Sequence, residues 1–125
     1  MNANFLLNIG PRPDGTIQEE FVTRLKEIGG WVSKNGESVF GTRGGPIGPR
    51  PWGVTTQKGK TVYVHVLDWV DPLLVIPGFG KSVKSAKMLV GGAAVPVKQV
   101  DGGWLLNLPG SGRDAMDTVV AMETA

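Results

Sequence analysis

Apolar positions follow three different rhythms along this chain. Near the start, Phe5, Leu6, Leu7 and Ile9 are almost continuous and then stop at Gly10, Pro11 and Pro13. That run predicts a short strand over residues 4–9, of the kind covered on both faces in a parallel sheet. Over residues 16–35 the rhythm becomes helical: Phe21, Leu25, Ile28 and Val32 recur at i, i+4, i+7 and i+11 and share one face. Thr16 and Glu19 have the spacing of a capping box, Glu20 and Arg24 that of a surface ion pair. Asn35-Gly36 supplies a stop, through a glycine in the left-handed conformation past the helix end.

Beyond Gly36 the pattern changes again. A Gly/Pro-rich crossing, with a short strand near Ser38 to Phe40, leads to a region of alternation. Val62, Val64 and Val66 alternate with Tyr63, His65 and Leu67, so one face of that strand is purely aliphatic and points to a core. Gln57-Lys58-Gly59 before it predicts a hairpin with Gly59 at the positive-φ position. "PLLVIPG", "SAKMLVG", "AVPVKQV", "GWLLNLP" and "DTVVAME" follow as short strands, with hairpin signals at Gly91-Gly92 and Asp101-Gly102. The regular spacing predicts an antiparallel β-sandwich, making the chain mainly β. It divides near residue 40: residues 1–40 hold one strand and one helix, too little for a core, and residues 41–125 form the sandwich.

Composition narrows the functional classes. Nineteen Gly and nine Pro among 125 residues agree with a turn-rich β protein. The net charge is +2, with acids and bases scattered, so neither a nucleic-acid stripe nor a basic membrane-binding face is present in the pattern. There is no cysteine and only one histidine, which argues against zinc and leaves the redox compartment unread. No apolar run approaches the roughly 18 residues of a membrane span, and no signal peptide is visible, which leaves localisation open.

Candidate chemistry is sparse. Sugar hydrolysis uses two carboxylates about 5–10 Å apart, depending on mechanism. Asp14, Glu20, Glu37, Asp68 and Asp71 are the candidates nearest the first strand's tip or His65, although surface and turn roles account for acids of this kind. His65 lies near Asp68 in sequence and suits a general base, but the missing Ser or Cys nucleophile favours a surface or interdomain histidine. The Gly-rich stretch "GTRGGPIG" lacks the pattern of a nucleotide loop. Trp31, Trp52, Trp69 and Trp104 suit either sugar stacking or a core.

The segment "NFLLNIGPRPDGTIQEEFVTRLKEIGGWVSKNGESVFGTR" closely resembles the end of the catalytic domain of the α-L-fucosidase family of glycoside hydrolases, family 29. "WGVTTQKGKTVYVHVLDW", "IPG" and "VKSAKMLVGG" resemble the β-sandwich that follows it. The resemblance implies that residues 4–9 and 16–35 are the last strand and helix of a (β/α)8-like barrel. It implies retaining hydrolysis of terminal α-L-fucose by an Asp nucleophile and a separate acid/base carboxylate, without metal or organic cofactor, on a fucosylated glycan or fucoside. Asn8, Gly10 and Pro11, at the last strand's tip, would line the pocket. The family's nucleophile lies on earlier strands, whose motifs do not occur in these 125 residues. The resemblance therefore implies a truncated chain with its catalytic strands missing; a non-catalytic module for carbohydrate binding or protein packing is the alternative. The uncovered apolar strand also predicts a homo-oligomer formed through the N-terminal strand and helix.

Overall fold

The computed structural model describes residues 3–125. It contains one helix, α1 (Glu19–Asn35), a 3-10 turn (Gly36–Ser38) and eight strands: β1 (Arg43–Gly44), β2 (Gly53–Lys58), β3 (Thr61–Val66), β4 (Leu73–Pro77), β5 (Val83–Met88), β6 (Val97–Val100), β7 (Gly103–Asn107) and β8 (Thr118–Thr124). A five-stranded sheet of order β1-β2-β3-β8-β5 faces a three-stranded sheet of order β4-β7-β6, and every strand pairing is antiparallel. The protein is the predicted β-sandwich preceded by a helix.

The aliphatic stripe of β3 builds the core as its alternation requires. Val62, Val64 and Val66 are buried between the sheets, with Val120 and Met122 from β8 and Ala86 and Met88 from β5. Leu74, Ile76 and Leu106 meet them from the three-stranded sheet. The opposite face of β3 and β8 is largely buried as well, although Thr61 is half-buried and Glu123 exposed: Tyr63, Val119 and Ala121 form a second, smaller cluster there, against Trp31 of α1. The end of the helix therefore rests on the outer side of the five-stranded sheet through Trp31, and β3 and β8 bury side chains on both faces over residues 62–66 and 118–122.

Turn chemistry places the hairpins. Gly59 (φ 59°) closes β2 onto β3, where Lys58 pairs with Thr61. Gly102 (φ 75°) closes β6 onto β7, where Val100 pairs with Gly103. Both are left-handed positions that favour glycine.

Several local expectations are corrected. Residues 4–9 form no strand. No other strand among the described residues offers them backbone partners, and Phe5 and Leu6 are 88% and 89% exposed. The helix begins at Glu19 behind Gln18, and no side chain caps it. Thr16 is engaged one turn earlier: its amide and hydroxyl both donate to Asp14, at 3.0 and 2.7 Å. Arg24 pairs with Glu27, not with Glu20. The helix stops at Asn35 as expected, but Gly36 keeps right-handed angles (φ −55°) and the chain tightens into the 3-10 turn in place of a strand near Ser38. The predicted apolar face does not supply the docking contact: Phe21, Leu25 and Ile28 are 37–41% exposed, while Trp31 packs on the sheet.

Candidate functional site

The polar groups that hold α1 to the sheet form a closed circuit. The side-chain amide of Asn35 donates to the carbonyl of Trp31 (3.1 Å), within the last turn of the helix. The hydroxyl of Ser38 donates to the carbonyl of Asn35 (2.7 Å), and the hydroxyl of Thr56 on β2 donates to the carbonyl of Ser38 (2.6 Å). Thr56 Oγ1 also meets His65 Nε2 at 3.2 Å, and His65 Nδ1 meets Asp117 Oδ2 at 2.8 Å. The indole of Trp31 donates to the backbone carbonyl of Asp117 (3.0 Å), which returns the circuit to the helix.

Burial makes this circuit structurally important. Asn35, Ser38 and His65 are all buried, and buried polar groups without partners are costly. Asp117 Oδ1 is buried without a partner. The approach to β8 fixes Asp117 in place: Asp114 Oδ1 accepts the amides of Met116 (2.8 Å) and Asp117 (3.3 Å), and the Asp114 amide donates to Thr118 Oγ1 (2.8 Å). Trp31 and Asp117 also line an apolar hollow of about 470 Å³ together with Ile28, Met116, Arg24 and Glu27.

The expected site residues are dispersed. His65 is not a surface residue, and its carboxylate partner is Asp117, not Asp68. Asp117 escaped sequence reasoning because it stands 52 residues from His65 along the chain. Its only sequence signal was a position at the start of the last strand. Glu37 accepts the Tyr63 hydroxyl at 3.0 Å. Burial, and then the contact with Glu37, push the Tyr63 phenol up to about 12.

Asp14 lies in an exposed turn closed by Gly15 (φ 84°), and the hydroxyl and amide of Thr16 hold its carboxyl below the ordinary range. Glu20 is on the solvent side of α1 beside Glu19, Thr23 and Arg24. Asn8, Gly10 and Pro11 lie in an exposed segment where Asn8 Oδ1 accepts the Ile9 amide (3.0 Å). Asp68 and Asp71 do come together, lining a shallow depression of about 320 Å³ with Trp52 and Trp69. Asp71 is partly engaged there by the Leu73 amide (2.8 Å), and the Arg113 guanidinium lies 5.1 Å from the centroid of the Trp69 ring. Trp31, Trp52, Trp69 and Trp104 are all partly buried against one of the two clusters. The described residues contain no cluster of three or more His, Cys, Asp or Glu arranged to hold a metal ion. No helix among them is long and apolar enough to cross a membrane.

Comparison with known proteins places this arrangement. The alpha-L-fucosidase family model matches residues 1–37. Human plasma alpha-L-fucosidase is 34% identical over 89 residues, covering 67% of this chain and 19% of the relative. The alpha-L-fucosidase of Branchiostoma floridae is 34% identical over 108 residues, covering 78% of this chain and 22% of the relative. Among solved structures, alpha-L-fucosidase isoenzyme 1 from Paenibacillus thiaminolyticus superposes with a TM-score of 0.87 at 31% identity, over 98% of this chain and 31% of that one. The chain thus spans about a fifth of the length of the curated relatives it matches. Sequence and fold together identify it as a short chain matching a partial region of the glycoside hydrolase family 29 α-L-fucosidases.

Proposed function

We propose that this chain serves α-L-fucosidase function as a supporting part and does not carry out hydrolysis by itself. In this reading residues 41–125 are the β-sandwich unit, and residues 1–40 are the strand–helix unit that joins it to a barrel; the first two positions of that unit lie outside the described residues. The observation that carries the proposal is the uncovered apolar surface of the N-terminal unit. Phe5, Leu6 and Leu7 are exposed beside no sheet, and Phe21, Leu25 and Ile28 leave a helix face open. An apolar segment and a helix with such faces are suited to packing against further barrel elements or against a second copy of the chain. Catalytic groups of barrel enzymes sit at the ends of several strands, and the eight strands described here all belong to the sandwich.

Retaining cleavage of terminal α-L-fucose from a glycan is the activity of the whole assembly in this reading, with Asn8, Gly10 and Pro11 contributing one wall of the pocket. The test is an assay of the extensively purified chain on a chromogenic α-L-fucoside. No turnover above a buffer control is expected. Turnover that co-purifies with the chain and disappears on substitution of Asp14, Glu20, Glu37, Asp68 or Asp71 would replace this reading with a self-assembled enzyme site.

A second reading has one observation of its own. Trp52, Trp69, Asp68 and Asp71 share one shallow depression, a combination of apolar ring surface and hydroxyl acceptors that suits a sugar. This would make the sandwich a carbohydrate-binding module. Calorimetric titration with a fucosylated oligosaccharide, on the protein and on Trp52→Ala, separates the two readings.

A further inference from the structure

We propose that His65 carries protons on both ring nitrogens and acts as a pH-sensitive clasp between helix α1 and the five-stranded sheet. The argument is one of hydrogen-bond direction. The Ser38 carbonyl can only accept, so the hydroxyl proton of Thr56 is committed to it across their 2.6 Å contact. Thr56 Oγ1 therefore has only lone pairs to offer His65 Nε2 at 3.2 Å, and that nitrogen must be the donor. On the other side, Nδ1 faces Asp117 Oδ2 at 2.8 Å, and a carboxylate likewise only accepts. Both nitrogens are thus required as donors, which a neutral imidazole cannot satisfy. A ring flip does not relieve the demand, because it would point carbon at both partners.

Burial strengthens the case. His65 is 4% exposed, and the second oxygen of Asp117 is buried without a partner. An ionised carboxylate in that setting is stabilised by a cation at its other oxygen, and the imidazolium is the one in contact with it. The other charged or titratable groups around the junction are engaged elsewhere or more exposed. Glu37 of the 3-10 turn accepts from Tyr63, two residues along β3. Arg24 pairs with Glu27 on α1. Lys34 is exposed at the end of α1, and Asp114 accepts backbone amides at the start of the β8 turn.

The consequence is directional. With the imidazolium present, every contact of the circuit from Trp31 through Asp117, His65, Thr56, Ser38 and Asn35 is made. Removal of one ring proton leaves either Thr56 or Asp117 facing a bare nitrogen, lone pair to lone pair. The end of α1 is then held by one contact fewer, and the helix loosens as pH rises.

Because His65 is the only histidine of the chain, its two ring nitrogens can be followed directly by nitrogen-15 NMR of the wild-type protein. At neutral pH both nitrogens should show the protonated signature. A ring with one bare nitrogen, in either tautomer, overturns the proposal, including the case in which the proton resides on Asp117. Amide hydrogen exchange in the last turn of α1, corrected for intrinsic rates, should then accelerate about tenfold or more from about pH 5 to about pH 9, as expected for loss of one charge-assisted hydrogen bond. That step should shrink in Asp117→Asn, which keeps an acceptor without the charge. A doubly protonated ring with no acceleration, or an undiminished step in Asp117→Asn, rules out the clasp.

Discussion

The hydroxyl of Tyr63 donates to the carboxylate of Glu37 across 3.0 Å, joining the middle of the central strand β3 to the 3-10 turn that ends the helix. Tyr63 is otherwise buried with Val119 and Ala121, so its phenol is held neutral and its pKa is pushed up to about 12. A group whose proton is bound more tightly in the folded state contributes stability that is complete below the unfolded value, near 10, and disappears as pH rises through about 12. We expect thermal stability to fall between about pH 10 and about pH 12. Tyr63→Phe should make that part of the curve nearly flat, as checked by circular dichroism melts at stepped pH.

Substitution of Gly53 should be among the most damaging single changes in the sandwich. Its backbone has φ 149°, and an added Cβ would lie 1.9 Å from the carbonyl oxygen of His65 on the paired strand. That oxygen is backbone within a ladder and cannot move aside. Gly53→Ala is expected to cost about 3 kcal/mol or more, read from chemical denaturation, whereas Gly48→Ala, where no heavy atom lies within 4 Å, should cost little.

Trp31 should attach the helix through both its ring and its indole N–H. Trp31→Phe retains an aromatic ring but removes the donor to the Asp117 carbonyl. A loss of about 1 kcal/mol is expected, the usual size of one neutral hydrogen bond. Exchange protection should fall in α1 while the amides of β3 and β8 keep theirs.

The exposed N-terminal residues should drive association. Wild-type protein is expected to exceed its 13.3 kDa monomer mass in light scattering at micromolar concentration. The double substitution Phe5→Ser and Leu6→Ser should shift it toward monomer without changing the melting temperature, because neither side chain contributes to the core. A wild-type monomer under these conditions would contradict association through this segment.

What the sequence disclosed depended on how locally each feature is determined. The β2–β3 hairpin was legible because Gly59 and the alternating valines lie within one short window. The glycines at 91 and 92 were equally clear as a turn, both with positive φ, yet nothing local revealed that β5 and β6 enter different sheets. The two-residue β1 is too short to have a period. Residues 4–9 have the pattern of a strand covered on both sides, but pattern reports what a segment can bury and not whether neighbours are present to cover it. Of the site, His65 was visible as the lone imidazole. Its burial under α1, and the contacts with Asp117 and Thr56, arise from tertiary pairing that periodicity cannot express. Thr16 likewise has the spacing of a helix cap, and a competing turn with Asp14 takes its hydroxyl instead.

The position of β8 bears on how the molecule comes to be folded. The strand nearest the end of the sequence lies between β3 and β5, with Thr61 paired to Glu123 and Met88 to Val120. Until residues 118–124 leave the ribosome, β3 and β5 cannot be joined, and each presents an open edge. The sheet thus closes late and over long sequence separations, the regime of slow folding and of intermediates prone to aggregation. Loss of this one strand would divide the five-stranded sheet into β1-β2-β3 and an isolated β5.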